Sequence, residues 1–372
     1  MSRYSTYFGM DVHARSTTIS SLDPSTGVTQ TKRFVGNCYG EIAAWMLAFP
    51  QPSHAIYESG CCGFHPAREL RALGVDVDIA AVSKLPRAPH DSRSKSDRND
   101  SLRLARADAA HAAVKVYVPG IEAEGLRTLS AAIDDAVDRV KVAKQQILGL
   151  LLREGLVWDE RTAAGAVRRP WCCDHRRWVE RAKLSTPAAQ ASLGCYVNTL
   201  ADLEELRDSL VADAERMAAE SALGPVVNCL QAMKGCGFRL ALAFAAEMDD
   251  FSRFRNGRSV SSYFGLVPME RSSGERESRG PVTKSGNSLV RKLAVECSWS
   301  YQGASHNPKA VPKRLEVPDE IARHARHGSE RLRKRRAHFL KNGMHPCKAN
   351  VATASEFVRW LWSIGVMVQE TM

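Results

Sequence analysis

Four acidic residues have the types and the spacing of a metal site. Asp11 and Glu58 each end a strand-like run, and Asp97 and Asp100 begin a helical stretch over residues 96–110. Residues three apart lie on one face of a helix, so this pair can face the two strand ends. Converging carboxylates repel each other unless cations lie between them, and oxygen ligands suit Mg²⁺ or Mn²⁺. Two such ions about 4 Å apart stabilise the attacking and leaving oxygens of a phosphodiester displacement.

The ordinary alternative is that these carboxylates are solvated surface groups. The chain has 41 Asp and Glu residues, and acids in a first helical turn are favoured by the helix dipole alone. Two strand-end acids and a helical i, i+3 pair in a basic segment nevertheless favour a metal site over four unrelated groups. The basic residues of that segment are Lys84, Arg87, Arg93, Lys95, Arg98 and Arg103.

Length and charge agree with an enzyme that acts on nucleic acid. The 372 residues predict two or three domains. The net charge of +11 indicates a polyanionic partner, because phosphates neutralised by basic side chains release their counterions. The apolar runs are too short to span a bilayer, and the N-terminus lacks the basic-then-apolar layout of a signal peptide. We therefore expect a cytoplasmic protein without a membrane partner.

The ten cysteines do not indicate a zinc site or a disulfide framework. The sequence has no CxxC spacing, which is the usual arrangement of paired zinc ligands. A cluster at residues 172–175 combines two cysteines, an aspartate and a histidine, but it lacks a second ligand pair at a suitable distance. Reduced, mostly buried thiols are therefore expected.

The N-terminal third has an α/β pattern that would bring the four acids together. Its first three strand candidates are separated by short turns, which predicts an antiparallel meander. The later ones alternate with helices, which predicts parallel strands. This is the layout of ribonuclease H-like nucleases, so we expect a RuvC-like fold by analogy. The strand candidates are residues 6–10, 17–22, 31–35, 55–57 and 75–82, and the helix candidates are residues 41–49 and 64–73.

Two long amphipathic helices are predicted in the middle of the chain, over residues 122–153 and 197–222. Their apolar spacing is typical of an antiparallel coiled coil or a dimerising bundle, and equally of helices that pack against their own chain. The predicted domains are a RuvC-like catalytic domain (1–120), coiled-coil helices (121–222) and a mainly helical C-terminal domain (223–372).

In the C-terminal region, glycine, serine and arginine residues indicate contacts with phosphate. Gly235 and Gly237 precede an apolar helix as in a helix-hairpin-helix element, whose backbone amides approach phosphate. Ser-Gly steps among arginines offer an unobstructed hydroxyl nucleophile, although Ser-Gly is also common in ordinary loops. A basic run over residues 321–341 indicates a surface that binds the nucleic-acid backbone. Its basic and histidine residues are Arg323, His324, Arg326, His327, Arg331, Arg333, Lys334, Arg335, Arg336, His338 and Lys341.

The order of the motifs resembles that of a known family over nearly the whole chain. The N-terminal region contains GMDVH, YESG and KSDRND followed by LRLARAD, and the C-terminal region contains MKGCGFRLALAFAAEM, YFGLVP, RSSGE and GPVTKSGNSLVRKL. In this order they are similar to the motifs of the DEDD transposases of IS110-type insertion sequences, which also include Piv-type DNA invertases. Each motif alone is weak evidence for the family, and the order of the motifs makes the resemblance specific.

The resemblance implies a fold, a metal site and an assembly. Members join a RuvC-like N-terminal domain to a C-terminal transposase domain through a coiled coil, and they form homodimers that pair into tetramers in the synaptic complex. The Mg²⁺ ligands that the resemblance implies are Asp11, Glu58, Asp97 and Asp100.

The resemblance also implies a covalent mechanism and two nucleic-acid partners. A serine of the C-terminal domain attacks DNA and forms a phosphoserine link. Ser273 of the RSSGE motif corresponds best to that serine, with Ser272 and Ser285 as alternatives. A structured non-coding guide RNA, the bridge RNA, pairs with the donor DNA at the element ends and with the target DNA. We hypothesise a composite site in which the carboxylates of one subunit meet Ser273 of another.

Three other classes of protein make different predictions. A metal-only RuvC-like nuclease would activate water, so it would form no covalent adduct with DNA. A non-catalytic nucleoprotein component would work normally without its acids and without Mg²⁺. An actin-like sugar kinase would need a glycine-rich phosphate turn after the first strand, and residues 11–16 contain no glycine, so this class is set aside.

Overall fold

The computed structural model describes residues 3–60, 62–85, 96–270, 279–302 and 315–371. The chain divides into two compact units, an N-terminal unit (residues 1–119) and a C-terminal unit (residues 120–372). The mixed α/β class that the sequence predicts is confirmed. The finer division into three domains stays a prediction.

The N-terminal unit is built on one five-stranded mixed sheet. The strands are β1 (Thr6–His13), β2 (Ser16–Leu22), β3 (Thr29–Val35), β4 (Ser53–Glu58) and β5 (Val77–Ala80), in the spatial order β3-β2-β1-β4-β5. β1, β2 and β3 form an antiparallel meander, and β4 and β5 continue the sheet in parallel with β1. β1 runs three residues beyond the predicted end, because His13 still pairs with Ser16 of β2. Asp11 therefore lies within the strand.

Helices cover both faces of this sheet. They are α1 (Tyr39–Leu47), α2 (His65–Ala72) and α3 (Asp97–Ala109). Successive residues of a strand face opposite sides. Accordingly, Phe8 and Met10 belong to the core beneath α1 and α2, whereas Tyr7 packs against Ala105 of α3. Gly9, Asp11 and His13 share the parity of Tyr7, so β1 presents them towards the face that carries α3.

Gly9 allows α3 to lie directly on β1. A Cβ at this position would come 1.8 Å from the carbonyl oxygen of Ser101 and 2.5 Å from the amide nitrogen of Ala105. Both atoms belong to the backbone of α3, so a side-chain rotation cannot relieve the overlap.

We expect Gly9→Ala to destabilise the N-terminal unit by at least about 2 kcal/mol, because overpacking a rigid contact forces the backbone to shift. Gly40→Ala is the matched control, since Gly40 lies in α1 with no atom near its Cβ position. That control should be neutral or slightly stabilising, because Ala has the higher helix propensity. Thermal unfolding measures both. Equal melting temperatures for the two variants would contradict the close packing of α3 on β1.

A buried ionic network ties the far end of α3 to the sheet. His54 is 1% exposed, and its Nδ1 lies 2.5 Å from Oδ2 of Asp108 in α3. Its Nε2 lies 3.2 Å from Oδ2 of Asp78 in β5, and Asp78 also pairs with Lys115. Burial by itself lowers the pKa of His54, but the hydrogen bonds to Asp108 and Asp78 raise it to about 9. The ring is therefore protonated at neutral pH.

Loss of the proton from His54 should make the N-terminal unit less stable at alkaline pH. Its folded pKa lies above the ordinary value of about 6.5, so its stabilisation is complete below pH 6.5 and is lost as the pH rises through 9. The loss is on the order of 3 kcal/mol. Native-state hydrogen exchange of β4 and α3, corrected for the intrinsic exchange rate, should show this decrease in stability as a slope against pH. His54→Gln should be less stable at pH 6 and should lack the slope. A slope that persists in this variant would assign it to another group.

The C-terminal unit is mainly helical. Its elements are α4 (Ile121–Arg153), α5 (Cys173–Arg181), α6 (Pro187–Glu220), α7 (Gly224–Leu230), α8 (Phe238–Met248), α9 (Gly257–Tyr263), the hairpin strands β6 (Pro268–Glu270) and β7 (Arg279–Val282), α10 (Ser288–Ser298), α11 (Asp319–Lys341) and α12 (Pro346–Thr371). α8 is buried on all sides and packs against α4, α7 and α10, while α12 covers α7, α9, α10 and α11.

The two long helices pack against each other within the chain. Val140 and Ile147 of α4 share a core cluster with Leu193 and Leu200 near the start of α6. The beginning of α4 instead shares a cluster with the end of α6, so the pair is antiparallel. α6 starts ten residues before its predicted start, with the Thr186 hydroxyl capping it and Pro187 in its first turn. This Thr-Pro pair is a helix-start signal that the periodicity alone missed.

The two glycines before α8 have different surroundings. Gly235 has φ +87°, and a Cβ there would lie 2.3 Å from Oγ of Ser300. Its backbone is therefore used for close internal packing. Gly237 precedes α8 with open space around its Cβ position.

In the part of the chain that the structure describes, every helix is too short or too polar to cross a membrane.

Candidate functional site

The candidate site lies where β1 and β4 end side by side. The last parallel pair between these strands joins Met10 to Tyr57. Asp11 and Glu58 directly follow this pair, so the register places both acids at one edge of the unit. The carboxyl ends of parallel strands are a common position for binding sites in α/β folds.

One imidazole and two carboxylates come together at this edge. Nε2 of His13 lies 3.1 Å from Oδ2 of Asp11 and 3.9 Å from Oδ1 of Asp97. One ligand atom from each of the three residues lies within 4.8 Å of the others. His13 was not among the residues that the sequence analysis selected. The alternation of β1 was the signal that could have found it, because residues two apart share a face.

α3 positions Asp97 through its first turn. The Oγ atom of Ser96 accepts a hydrogen bond from the amide of Asn99 and caps the helix. Asp97 is therefore the first helical residue, half-exposed, and Asp100 lies one turn further on the same face. Ser101 adds a buried hydrogen bond of 2.7 Å to Ser20 of β2. The helix start is thus held against β2, which pairs with the strand that carries Asp11.

The electrostatics of the cluster favour a cation. Burial raises the pKa of Asp11 above its ordinary value, the neighbouring His13 lowers it, and the negative charges of Asp97 and Asp100 raise it further. The net shift is upward, which means that the folded protein disfavours the charge on Asp11. A divalent ion between the carboxylates would remove this penalty.

Glu58 is held by a different partner. Its Oε1 accepts a hydrogen bond of 2.6 Å from Nη2 of Arg103, which lies on α3 one turn beyond Asp100. Neither Glu58 nor Asp100 belongs to the group of converging ligand atoms that the described residues form. The structure thus brings together two of the four predicted carboxylates. The assignment of all four acids as metal ligands stays a prediction, and the geometry agrees with it for Asp11 and Asp97.

The donor set fits a divalent ion of the predicted kind. Two carboxylates with a third ligand atom and open solvent suit an ion such as Mg²⁺ or Mn²⁺, which keeps several waters. Asp11 is 21% exposed, and Asp97 and His13 are about half exposed. An ion at this place would remain accessible to a phosphodiester.

In the sequence, two of the predicted serine nucleophiles fall between β6 and β7, and the third follows β7. Ser272 and Ser273 are outside the described residues. Ser285, the third candidate, is exposed, and its hydroxyl donates a hydrogen bond of 3.2 Å to the carbonyl of Ser262. It also lies 3.3 Å from Oγ1 of Thr283. The Ser285 hydroxyl is therefore tied to the protein's own backbone.

A buried carboxylate holds both flanks of this hairpin. Glu247 of α8 is 7% exposed. Its Oε1 accepts a hydrogen bond of 2.5 Å from the hydroxyl of Tyr263, just before β6. Its Oε2 accepts one of 2.9 Å from Nδ2 of Asn287, the cap of α10 after β7, and Arg127 neutralises it at 3.4 Å. The base of the segment that contains Ser273 is thereby fixed to the core.

The basic helix α11 has one exposed basic face and one buried arginine. Arg331 and Arg335 each lie 2.6 Å from Glu356 of α12. Most of the other basic side chains of α11 are exposed to solvent. Arg336 is 2% exposed and lies over the ring of Trp299. The predicted surface that binds the nucleic-acid backbone therefore does not include Arg336, because its helical position faces the core.

The histidine of the cluster at residues 172–175 belongs to a small aromatic core. His175 of α5 is fully buried, and its ring contacts those of Trp158, Trp171 and Trp178. Burial, and then the charge of Arg176, lower the pKa of His175, so its ring is neutral. Cys173 is exposed.

Comparisons with known proteins find sequences similar to this chain. Residues 227–313 match the model of the family described as "Transposase IS116/IS110/IS902 family". The chain is 31% identical over 316 residues to the protein y4qE of Sinorhizobium fredii, which is named as a transposase, covering 85% of this chain and 76% of that protein. It is 22% identical over 335 residues to the transposase for insertion sequence element IS1533 of Leptospira borgpetersenii, covering 88% and 95%. It is 27% identical over 234 residues to the transposase for insertion sequence element IS1111A of Coxiella burnetii, covering 60% and 59%.

Proposed function

Because this chain belongs to the IS116/IS110/IS902 family of transposases, we propose that it cuts and exchanges DNA strands by metal-assisted attack of a serine. Family membership makes it an enzyme that acts on DNA. The finer proposal is a RuvC-like N-terminal domain whose acids bind a divalent ion, with the nucleophile in the C-terminal domain.

The observation that carries this proposal is the convergence of Asp11 and Asp97. One comes from a central strand and the other from the first turn of a helix 86 positions later in the sequence, yet both lie within 4 Å of the same imidazole nitrogen. The mixed sheet order and the strand-end position support the RuvC-like assignment. Mg²⁺ is the proposed ion and Mn²⁺ the substitute.

Each residue of the site has a proposed task. Asp11 and Asp97 hold the ion, and Glu58 and Asp100 complete the ligand set when nucleic acid enters. Arg103 holds Glu58 until then. When bound, the ion supplies positive charge at the scissile phosphate.

The proposed nucleophile is the hydroxyl of Ser273. Its oxygen forms a bond to phosphorus while the bond from phosphorus to the leaving strand breaks, and the released sugar hydroxyl takes up the proton that the serine loses. Arginines of the same segment, such as Arg271 and Arg276, neutralise the phosphate oxygens. The fixed hairpin base at Glu247 supports this assignment, because an attacking group needs a positioned segment.

The proposed partners are DNA and a structured guide RNA. The resemblance of the motifs to the bridge-RNA-guided recombinases supports the RNA, and so does the basic face of α11, which suits backbone phosphates. Pairing with RNA would then supply the base specificity. The proposed assembly is a homodimer that forms a tetramer in the synaptic complex, with the carboxylates of one subunit opposite Ser273 of another.

The test is the detection of a covalent protein-DNA adduct. The purified chain is incubated with Mg²⁺, DNA of the element ends and RNA transcribed from the flanking non-coding region, and the products are separated on a denaturing gel. We expect an adduct in the complete mixture. It should disappear when EDTA removes the Mg²⁺ and also when the RNA is omitted. Cleaved DNA without an adduct would instead support a metal-only nuclease. Cleavage that persists in EDTA would overturn the metal site.

A further inference from the structure

We propose that His13 is a nitrogen ligand of the ion at Asp11 and Asp97, and that it gives the site a preference for Mn²⁺ over Mg²⁺. This inference deepens the proposed function and rests on the metal site that it describes. It assigns the role of a metal ligand to a histidine, which is not one of the four predicted acids.

The position of His13 on β1 directs its ring to the site. His13 is the last residue of the strand and still pairs with Ser16 of β2. It lies two residues beyond Asp11 and so presents its side chain on the same face. The backbone of both residues is thus fixed by the sheet, and only side-chain torsions are free.

The interatomic distances suit a shared ion. Ligand bonds to Mg²⁺ or Mn²⁺ are about 2.1 Å long, so adjacent ligand atoms of an octahedral ion lie about 3.0 Å apart and opposite ones about 4.2 Å apart. The observed distance from Nε2 of His13 to Asp11 is 3.1 Å, and the distance to Asp97 is 3.9 Å. The first value matches adjacent ligand positions, and the second lies between the adjacent and the opposite value. Because the ligand atoms of all three residues lie within 4.8 Å of one another, rotation of these side chains can bring them onto one ion.

Among the residues that the structure describes, the ring of His13 has Asp11 and Asp97 as its partners. Its Nε2 faces the two carboxylates, and 54% of the side chain is exposed. A simple histidine-aspartate ion pair is the competing explanation. In that pair Nε2 would carry a proton and donate it to Oδ2 of Asp11, and the imidazole would not bind a metal ion.

The chemistry of imidazole sets the expected selectivity. Mg²⁺ prefers oxygen ligands and gives up its waters reluctantly, whereas imidazole binds first-row transition ions more readily. A site with two carboxylates and one imidazole should therefore bind Mn²⁺ more tightly than Mg²⁺. Without the imidazole, the remaining oxygen ligands should discriminate less between the two ions.

The experiment measures metal binding directly, without DNA. The full-length protein is loaded with Mn²⁺, and pulsed electron paramagnetic resonance detects magnetic coupling between the ion and a nitrogen nucleus. Protein labelled with ¹⁵N at histidine shows whether that nitrogen belongs to imidazole. We expect histidine coupling in the wild-type protein and in His65→Gln, and its loss in His13→Gln.

His65→Gln is the matched control because His65 is similarly exposed and also lies beside an acid, Glu69, at 3.6 Å. Affinities are obtained by titration with each ion. His13→Gln should weaken Mn²⁺ binding by at least about 10-fold and Mg²⁺ binding by less, so that the preference for Mn²⁺ shrinks. The control should leave both affinities unchanged.

The outcomes separate this inference from the proposed function. Bound Mn²⁺ without histidine coupling in the wild-type protein would overturn the ligand assignment and leave the carboxylate site intact. Equal losses of Mn²⁺ and Mg²⁺ affinity in His13→Gln would overturn the selectivity. Failure of the wild-type protein to bind either ion would overturn both the inference and the metal site.

Discussion

Asp11→Asn is expected to reduce DNA strand cleavage by at least about 1000-fold while the protein remains folded. Asparagine keeps the size of the side chain but removes the negative charge that holds the ion. Charge stabilisation by a bound ion is worth several kcal/mol, and about 1.4 kcal/mol of barrier corresponds to tenfold in rate. Cleavage of labelled element-end DNA in the presence of the guide RNA measures the effect.

The same substitution should not lower stability. Burial and two neighbouring acids raise the pKa of Asp11, so its carboxylate destabilises the fold above that pKa. A neutral side chain removes this repulsion, and the melting temperature without metal should be unchanged or higher. Loss of activity with a gain in stability is the pattern of a functional residue.

Asp76→Asn is the matched control for this prediction. Asp76 is an exposed acid of the same unit that accepts a hydrogen bond of 2.8 Å from the hydroxyl of Tyr4, which asparagine can also accept. It should retain cleavage activity. Normal cleavage by Asp11→Asn would contradict the metal site and favour a non-catalytic nucleoprotein component. A collapse of its melting temperature would mean that Asp11 is structural.

Ser273→Ala is expected to abolish the covalent adduct and to reduce strand exchange by at least about 1000-fold. The substitution removes one oxygen atom from a segment whose flanks are held independently through Glu247, Tyr263 and Asn287. Binding of DNA and RNA should therefore stay close to that of the wild-type protein. Denaturing gels for the adduct and gel-shift titrations for binding measure the two quantities on the same samples.

Ser272→Ala and Ser285→Ala are the controls for the assignment. Ser285 already donates its hydrogen bond to the carbonyl of Ser262, and we expect its variant to keep the adduct. An adduct that survives in Ser273→Ala and disappears in Ser272→Ala would move the nucleophile by one residue. Loss of nucleic-acid binding together with the adduct would indicate a binding defect and not a missing nucleophile.

The sequence by itself determined the local elements of the N-terminal unit. The strand-like run before Asp11 predicts β1, and the i, i+3 acids Asp97 and Asp100 predict the start of α3, because these signals depend on neighbours in the chain. The order of the motifs also predicted the family. The apolar periodicity of α4 and α6 predicted two amphipathic helices, but it did not decide between a coiled coil, a dimerising bundle and packing within the chain.

The tertiary structure decided which of these residues meet. Glu58 pairs with Arg103, and Asp97 approaches His13; no local pattern encodes either contact, because the partners lie far apart in the sequence and on different elements. Glycine is likewise needed at position 9 because the backbone of α3 lies directly against it. In the sequence, Arg336 was one of the basic residues of the predicted surface that binds the nucleic-acid backbone. The packing of α11 instead buries its side chain beside Trp299. Such contacts depend on the register and orientation of whole elements, and the global packing of the core sets these.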